Sequence, residues 1–265
     1  MCGRYALRQA GIDAIGDDFH IRASDYPDLT TLAPRYNAAP MQDLPVVAIN
    51  KEGVRKLRPM RWGFLPGWAK EKPKVRPINA RADTVATSGL FRTAFARRRC
   101  LVPADGWYEW RAEGGPKKQP YLFEVDGGRL FAFAGIWDVW REAPDADPVF
   151  GFATITTAPN KVAAAVHDRM PVILPAESWD RWLDPAFQDP AALLAMLPPL
   201  ADAAVTYRPV NPAMGNVRFE GPACVEPPPA ASTALASDAP LKTTRTRKPR
   251  AKKTEAGEAD LFTAN

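Results

Sequence analysis

The chain has 265 residues, of which 46% are hydrophobic and 25% are charged, with a net charge of +5. These proportions are ordinary for a globular protein, and no apolar run approaches the roughly 18 residues of a membrane span. Three cysteines and two histidines without a metal-binding spacing argue against a metal centre. We expect free thiols in a reducing cytoplasm, no metal and no other cofactor.

The first part of the chain predicts short helices, a hairpin and one irregular loop. A short helix is expected over Gln9–Phe19, and the runs Leu44–Ile49 and Val54–Met60 predict a β-hairpin. The segment Trp62–Trp68 is rich in glycine and proline and predicts an aromatic loop. A further helix is expected over Ser88–Arg99, with the serine as its N-cap.

The second part of the chain is richer in predicted strands. Cys100–Trp110 predicts a strand interrupted at Gly106, and Tyr121–Val125 and Leu130–Ile136 predict the clearest hairpin, joined through Asp126-Gly127-Gly128. The remaining predicted elements are strands at Phe150–Thr157, Met170–Leu174 and Val205–Val210 and helices at Asn160–Val166, Pro175–Leu183 and Pro190–Leu197. Because hairpins outnumber βαβ crossovers, we predict an α+β fold with a curved, largely antiparallel, barrel-like sheet and peripheral helices.

The composition changes near residue 227, which marks a predicted domain boundary. Residues 228–265 contain a proline run, an Ala/Ser/Thr stretch and seven basic against four acidic residues, leaving 28 basic and 26 acidic residues for 1–227. We predict one catalytic domain over 1–227 and a disordered basic tail over 228–265. A nucleic-acid surface on the mildly basic body would have to be a local patch.

A cysteine directly follows the initiator methionine. Removal of Met1 would leave Cys2 with an α-amine and a thiol two carbons apart. Such an aminothiol condenses with an aldehyde to an imine, and its sulfur then closes a thiazolidine ring. This chemistry predicts an exposed amine and thiol, with pKa values near about 7.7–8 and about 8.5. Position alone favours an ordinary early cysteine, and the rest of the chain reverses that preference.

Two further polar residues lie among apolar or Gly/Pro-rich neighbours. Glu109 is flanked by three aromatic residues, and such burial raises the pKa of a carboxyl group, which suits proton transfer. His167 precedes an Asp-Arg pair that could fix its ring, although a buried structural histidine is the commoner case. With Asn79, Cys2 and His167 match the outline of a thiol nucleophile with its base and orienting residue. These residues alone name no substrate.

Six segments in this order resemble the SOS-response-associated peptidase (SRAP) family, whose members shield abasic sites in single-stranded DNA by crosslinking to them. The segments are 1–5 (MCGRY), 36–40 (YNAAP), 61–68 (RWGFLPGW), 78–84 (INARADT), 99–110 (RCLVPADGWYEW) and 167–174 (HDRMPVIL). The match covers roughly residues 2–225 and departs at Asp83, where the family usually has glutamate.

The resemblance implies covalent attachment to the lesion. The Cys2 amine would form a Schiff base with C1′ of the opened sugar, and the thiol would close the thiazolidine. Asn79 would orient the Cys2 end or the sugar, Glu109 would be the general acid/base for ring opening, and His167 would shuttle protons and assist reversal. Removal of Met1 fits the peptidase of the family name, and arrest at the imine would allow weak lyase activity.

The resemblance also implies a DNA surface around the nucleophile. Arg4 and Arg81 would clamp the phosphates that flank the lesion. Trp68 and Pro40 would form an apolar wedge against a base, with core packing as the alternative for the tryptophan. Thr156 would line the same pocket. Binding is expected to be salt-sensitive and sequence-tolerant.

The tail carries one short pattern, Glu258-Ala259-Asp260-Leu261-Phe262. It resembles the motif by which bacterial repair proteins dock into the replication sliding clamp, with Leu261 and Phe262 as anchors, although the usual first residue is glutamine. Chance explains the pattern equally well.

We expect a monomeric, nucleoid-associated protein that contacts abasic single-stranded DNA and no membrane. Two other functions stay open at this point. One is a thiol peptidase that acts on other proteins through Cys2, His167 and Asn79. The other is a non-covalent module that binds single-stranded DNA.

Overall fold

The structure is a computed structural model that describes residues 2–9, 12–22 and 32–229. The predicted tail beyond residue 229, including Leu261 and Phe262, lies outside these residues. In the described part, no helix is long and apolar enough to cross a membrane.

The core is a five-stranded barrel. Its members are β3 (Asp43–Ile49), β4 (Arg55–Trp62), β6 (Arg99–Ala104), β9 (Phe131–Trp140) and β10 (Val149–Thr157). The order is β10-β4-β3-β6-β9, and β10 also pairs with β9, which closes the barrel. The contact between β4 and β10 is parallel, whereas the other barrel contacts are antiparallel. Closure leaves these strands without a free edge.

Three short strands extend the barrel sheet. β5 (Asn79–Arg81) runs parallel to β10 beyond the end of β4. One edge of β10 is therefore paired first with β4 and then with β5. β11 (Met170–Pro171) pairs with β10 and β12 (Ile173–Leu174) with β9. The predicted single strand over Met170–Leu174 is therefore two strands, one on each side of Val172.

A second, antiparallel sheet carries the start of the chain. Its order is β13-β8-β7-β1-β2, and its strands are β1 (Tyr5–Leu7), β2 (Arg35–Ala38), β7 (Gly106–Arg111), β8 (Gln119–Val125) and β13 (Val205–Pro209). The predicted strand over Cys100–Trp110 thus passes from the barrel (β6) into this sheet (β7). At the crossing, a Cβ on Gly106 would lie 3.0 Å from the Phe123 carbonyl oxygen, so glycine is required there.

The helices are short and peripheral: α1 (Ile12–Asp18), α2 (Arg92–Arg97), α3 (Lys161–Ala164), α4 (Trp179–Leu183) and α5 (Pro190–Leu194). The predicted α+β class with a largely antiparallel, barrel-like sheet is confirmed. The helix predicted from Ser88 is shorter than expected, because residues 82–91 form turns before α2 begins.

The predicted hairpin between Tyr121–Val125 and Leu130–Ile136 is wrong. A turn does exist, with positive φ at Asp126, Gly127 and Gly128. It joins strands of different sheets, because β8 is already paired on both edges by β7 and β13, and β9 by β6 and by β10 and β12. A strand has only two edges, so no pairing between β8 and β9 is left.

A buried arginine fixes α4 to the barrel. Arg99 is the last residue of the basic run Arg97–Arg99, which from sequence alone reads as a solvated helix end. It is nevertheless only 3% exposed. Its guanidinium donates to the carbonyl oxygens of Phe95 (2.8 Å), Ala96, Trp182 (2.6 Å), Asp184 and Phe187. Burial lowers its pKa to about 10, which still leaves it charged at neutral pH.

Candidate active site

The N-terminal strand positions Cys2. β1 lies between β2 and β7, with Tyr5 opposite both Ala38 and Trp107. After β1, the buried carboxylate of Asp105 accepts hydrogen bonds from Arg8 Nε (2.8 Å) and from the Arg8 backbone amide. The start of the chain is thus held by strand pairing and by a buried ion pair. Its position relative to β7 is fixed as a result.

The thiol of Cys2 is not exposed in this form of the chain. Cys2 is 1% exposed and joins the hydrophobic core, so the prediction of an exposed thiol is wrong for the chain that still carries Met1. Burial, and then the charge of Glu109, raise the pKa of the Cys2 thiol well above its ordinary value. The sulfur is therefore a protonated thiol at neutral pH, and its attack requires a neighbouring base.

Asn79 binds the backbone of Cys2. Its Nδ2 donates to the Cys2 carbonyl oxygen at 2.9 Å, and its Oδ1 accepts from the hydroxyl of Thr154 at 2.5 Å. Thr154 is buried and lies opposite Asn79 in the β5–β10 pairing. The hydroxyl determines which way the amide faces, because only Oδ1 can accept its proton. Thr154 is therefore a positioning residue that the sequence interpretation missed.

Glu109 is a buried acid on β7. It is 3% exposed, and burial, with a further contribution from the charge of Asp168, raises its pKa to about 7. A carboxyl group with this pKa is about half protonated at neutral pH, so it can donate or accept a proton. The burial and the raised pKa that the sequence predicts for this carboxyl group are confirmed.

His167 faces Glu109, with Nε2 3.8 Å from Glu109 Oε2. Two contacts at Nδ1 assign opposite tautomers: the Arg169 amide donates to it at 3.1 Å, whereas Asp168 Oδ1 lies 2.9 Å away and favours a protonated nitrogen. The Asp168 side chain is 87% exposed and hydrated, so the amide, which the chain fixes, determines the tautomer. The proton of the neutral ring is then on Nε2, which faces Glu109.

The two titratable groups are shifted in opposite directions. Burial lowers the pKa of His167, so the ring is neutral when the pH is near 7, whereas the pKa of Glu109 is raised. The gap between the two pKa values, about two units for the free side chains, is thereby closed. Glu109 is then the group that gives or takes a proton near pH 7, and the Nε2–H of neutral His167 can donate to its carboxylate form.

Arginine 169 links β10 to the segment that carries His167. Arg169 Nη2 donates to the Thr156 carbonyl oxygen at 2.5 Å and to its hydroxyl at 3.3 Å. It also lies 3.9 Å from Asp83. Thr156 is buried and donates to the Ala80 carbonyl oxygen at 3.5 Å. Thr156 thus supports the site through contacts with β5 and with Arg169. Arg169 is a second residue that the sequence interpretation missed.

The two arginines proposed for phosphate binding differ in their surroundings. Arg4 is partly buried, and its Nη1 donates to the Gly3 carbonyl oxygen at 3.0 Å. Arg81 is exposed and forms a two-point ion pair with Asp83, at 3.0 and 2.6 Å. Asp83 is the position that departs from the family pattern. A phosphate that binds Arg81 must compete with this carboxylate.

The aromatic loop and the β2–β3 turn form an exposed apolar rim. Trp68 is 65% exposed, so core packing does not explain it. Met41, in the turn that follows Pro40, is 41% exposed and packs against Gly63 at the start of the aromatic loop. Val75, further along the connection between β4 and β5, is 79% exposed. Such exposure of large apolar side chains in adjacent loops is typical of a binding surface.

The barrel, the N-terminal cysteine and the acid–base pair define a class of protein, and comparison with known protein families identifies it. The chain belongs to the SOS response associated peptidase (SRAP) family, whose model matches residues 1–217. The resemblance given by the six segments is thereby confirmed.

Individual relatives cover most of the chain. The abasic site processing protein YoqW of Bacillus subtilis is 36% identical over 228 residues, which are 85% of this chain and 99% of YoqW. The abasic site processing protein YedK of Escherichia coli is 30% identical, over 86% of this chain and 100% of YedK. The abasic site processing protein HMCES of Mus musculus is 31% identical, over 78% of this chain and 68% of HMCES. A crystal structure of a protein from Bacteroides thetaiotaomicron matches with a TM-score of 0.74 and 26% identity, over 85% of this chain and 99% of that one.

Proposed function

We propose that this protein processes abasic sites in single-stranded DNA by a covalent thiazolidine crosslink through Cys2 after removal of Met1. The names of YoqW, YedK and HMCES support the substrate class. The observation that carries the chemistry is the contact of Asn79 with the Cys2 carbonyl oxygen, together with the buried Glu109, whose charge acts on the Cys2 thiol. A fixed chain end and a neutral acid are what a condensation with an aldehyde needs.

The first chemical step is opening of the abasic sugar. Protonated Glu109 gives its proton to the ring oxygen, and the proton of the C1′ hydroxyl group passes to water. The Nε2–H of His167, which faces Glu109, donates to the carboxylate that remains and stabilises it. The bond between C1′ and the ring oxygen breaks, and an aldehyde forms at C1′. The raised pKa of Glu109 supports its role, because about half of this carboxyl group is protonated near pH 7, and the lowered pKa of His167 keeps the ring neutral there.

The second step forms the ring. The free amine of Cys2 adds to C1′ and loses water to give the imine. The thiol sulfur then adds to the same carbon, and the Glu109 carboxylate takes the thiol proton and passes it to the imine nitrogen, which completes the thiazolidine. A base is required because burial keeps the thiol protonated. Reversal follows the same path, with the acid and base roles exchanged.

DNA is bound around this centre before the chemistry. Arg4 and Arg81 neutralise the phosphates on either side of the lesion, and Trp68 and Pro40 stack against a neighbouring base. The exposure of Trp68 supports this role. The Arg81–Asp83 ion pair lowers the affinity of Arg81 for a phosphate, because the phosphate must displace the Asp83 carboxylate from the guanidinium.

The peptidase and lyase activities follow from the same residues. Self-removal of Met1 frees the amine, and β-elimination from the imine gives weak strand cleavage when ring closure fails. An independent thiol peptidase is less well supported, because Asn79 contacts Cys2 and Thr154 instead of orienting the His167 ring. A purely non-covalent module leaves the buried Glu109 unexplained.

The crosslink is tested with an oligonucleotide that contains one abasic site, on a denaturing gel. Wild type is expected to give a shifted band, and Cys2→Ala is expected to give none. Cys2→Ser keeps the amine but cannot close the thiazolidine, so its adduct should appear only after borohydride reduction. Cys100→Ala and Cys224→Ala are the matched controls, since both thiols are buried away from the described site. A band of undiminished intensity from Cys2→Ala would contradict the proposal.

We also propose that residues 1–227 form a catalytic domain, that the basic segment over 228–265 is a tail to it, and that the protein acts as a monomer at the nucleoid. The tail tethers the domain to the sliding clamp through Leu261 and Phe262. Clamp binding measured with and without Leu261→Ala/Phe262→Ala tests the tether, and equal affinity would dismiss it.

A further inference from the structure

A basic cleft lies on the barrel, away from Cys2. It has a volume of about 700 Å³ and is bounded by the β3–β4 turn, the end of β9 and the start of β10. Of the described residues that line it, five are cationic and none is acidic: Lys51, Lys56, Arg58, Arg98 and Arg141. On a body with a net charge of only +2 over residues 1–227, this is the kind of local patch that attracts an anionic polymer.

Two adjacent aromatic rings lie between two cations along the cleft. The Arg58 guanidinium lies 4.4 Å from the centre of the Phe150 ring, and that ring lies 6.0 Å from the Trp137 ring. The guanidinium of Arg98 lies 5.9 Å from the Trp137 ring on the next step. Both aromatic side chains are only partly buried. Rings that accept stacked bases, interleaved with cations that contact phosphates, are the combination that single-stranded nucleic acid requires.

The cleft is physically joined to the loop that carries Trp68. The buried Asp138 pairs with Arg98 in the cleft wall and accepts from the Gly67 amide at 2.9 Å. On the same edge of the loop, the Trp140 indole donates to the Ala69 carbonyl oxygen at 2.8 Å. One carboxylate therefore positions both a cation of the cleft and the loop of the apolar rim.

We propose that the cleft binds the single-stranded DNA that continues from the abasic site past Trp68. This proposal rests on the proposed function and extends it with a second contact. Phe150 and Thr156 lie on the same strand, six residues apart, which is roughly 20 Å. At about 3.4 Å per stacked nucleotide, the strand reaches the cleft about six nucleotides from the lesion. The contact is to backbone and stacked bases, so it is independent of sequence.

The test compares oligonucleotides that carry a tetrahydrofuran abasic analogue, which cannot crosslink, with flanks of about three or about twelve nucleotides on either side. Wild type should bind more tightly when one of the two flanks is lengthened. Lys51→Gln/Arg58→Gln should remove that gain and reduce the salt slope on the long oligonucleotide by about 1.4, at about 0.7 per phosphate contact. Arg129→Gln/Arg218→Gln removes the same charge from other exposed positions and should retain the gain.

Crosslinking of the short oligonucleotide with a natural abasic site separates this proposal from the proposed function. The cleft variant should crosslink it at the wild-type rate, because its substitutions lie outside the site of Cys2. Absence of a length effect in wild type would overturn the cleft proposal, as would an equal gain in both double variants. Absence of the crosslink itself would instead overturn the proposed function.

Discussion

Replacement of Glu109 by glutamine is expected to abolish efficient crosslinking and to stabilise the protein above neutral pH. The folded protein holds the Glu109 proton up to a pKa of about 7, whereas the ordinary value is 4.5. In the window between these values the folded state binds more protons than the unfolded state, so the free energy of unfolding decreases as the pH rises. The difference of about 2.5 pKa units, at 1.36 kcal/mol each, corresponds to about 3 kcal/mol.

The glutamine variant lacks this titration. Its free energy of unfolding relative to wild type should therefore increase by about 3 kcal/mol between pH 4.5 and pH 8, with the change centred below pH 7. Urea unfolding of both proteins at four pH values measures this difference, and other titrating groups cancel in the subtraction. A stability difference independent of pH would refute the assignment of a raised pKa to this carboxyl group.

The pH dependence of the crosslinking rate should also report the titration of Glu109. The rate requires protonated Glu109 and an unprotonated Cys2 amine, whose pKa is about 7.7–8. We expect a bell-shaped profile with a maximum between the two values and a tenfold loss per pH unit on each side. The glutamine variant should lose the alkaline limb, and its residual rate should rise with pH to a plateau. An unchanged alkaline limb in the variant would assign that limb to another residue.

Three further substitutions test the structure around the site. Thr154→Val should slow crosslinking roughly tenfold, as expected for one lost hydrogen bond to Asn79, while Thr154→Ser restores the rate; gel kinetics at saturating DNA measure both. Asp105→Asn should cost about 3 kcal/mol in urea unfolding, because it leaves Arg8 with a weakened partner in a largely buried pair, and a loss below 1 kcal/mol would contradict that role. Arg99→Met should cost at least about 3 kcal/mol, measured as a lower Tm, because several buried carbonyl oxygens lose their donor.

Local sequence patterns predicted the positions of most strands, but they did not predict which strands pair with each other. The β3–β4 hairpin is confirmed because its turn and its two apolar runs are adjacent in sequence. The Asp126-Gly127-Gly128 turn gave an equally strong local signal, but both edges of β8 were taken by strands distant in sequence. Edge competition of this kind depends on the whole topology, which periodicity does not encode.

The candidate site divides in the same way. Cys2, Glu109 and His167 stood out because their chemistry is unusual for their neighbours. Thr154 did not, although its position two residues before Thr156 places both hydroxyl groups on one face of a strand, which was the available signal. The burial of Cys2 was missed because it depends on the insertion of β1 between two strands that lie far along the chain.

That insertion has a consequence for how each molecule becomes competent. In the proposed function, the residue that must be freed lies just before β1 and is buried once β7 has paired with that strand. If the protein removes Met1 itself, as proposed, that cleavage takes place with Cys2 held at this buried position by Asn79. A substitution that disturbs the pairing of β1 with β7 would then prevent both the removal of Met1 and the crosslink, so the two activities should be lost together.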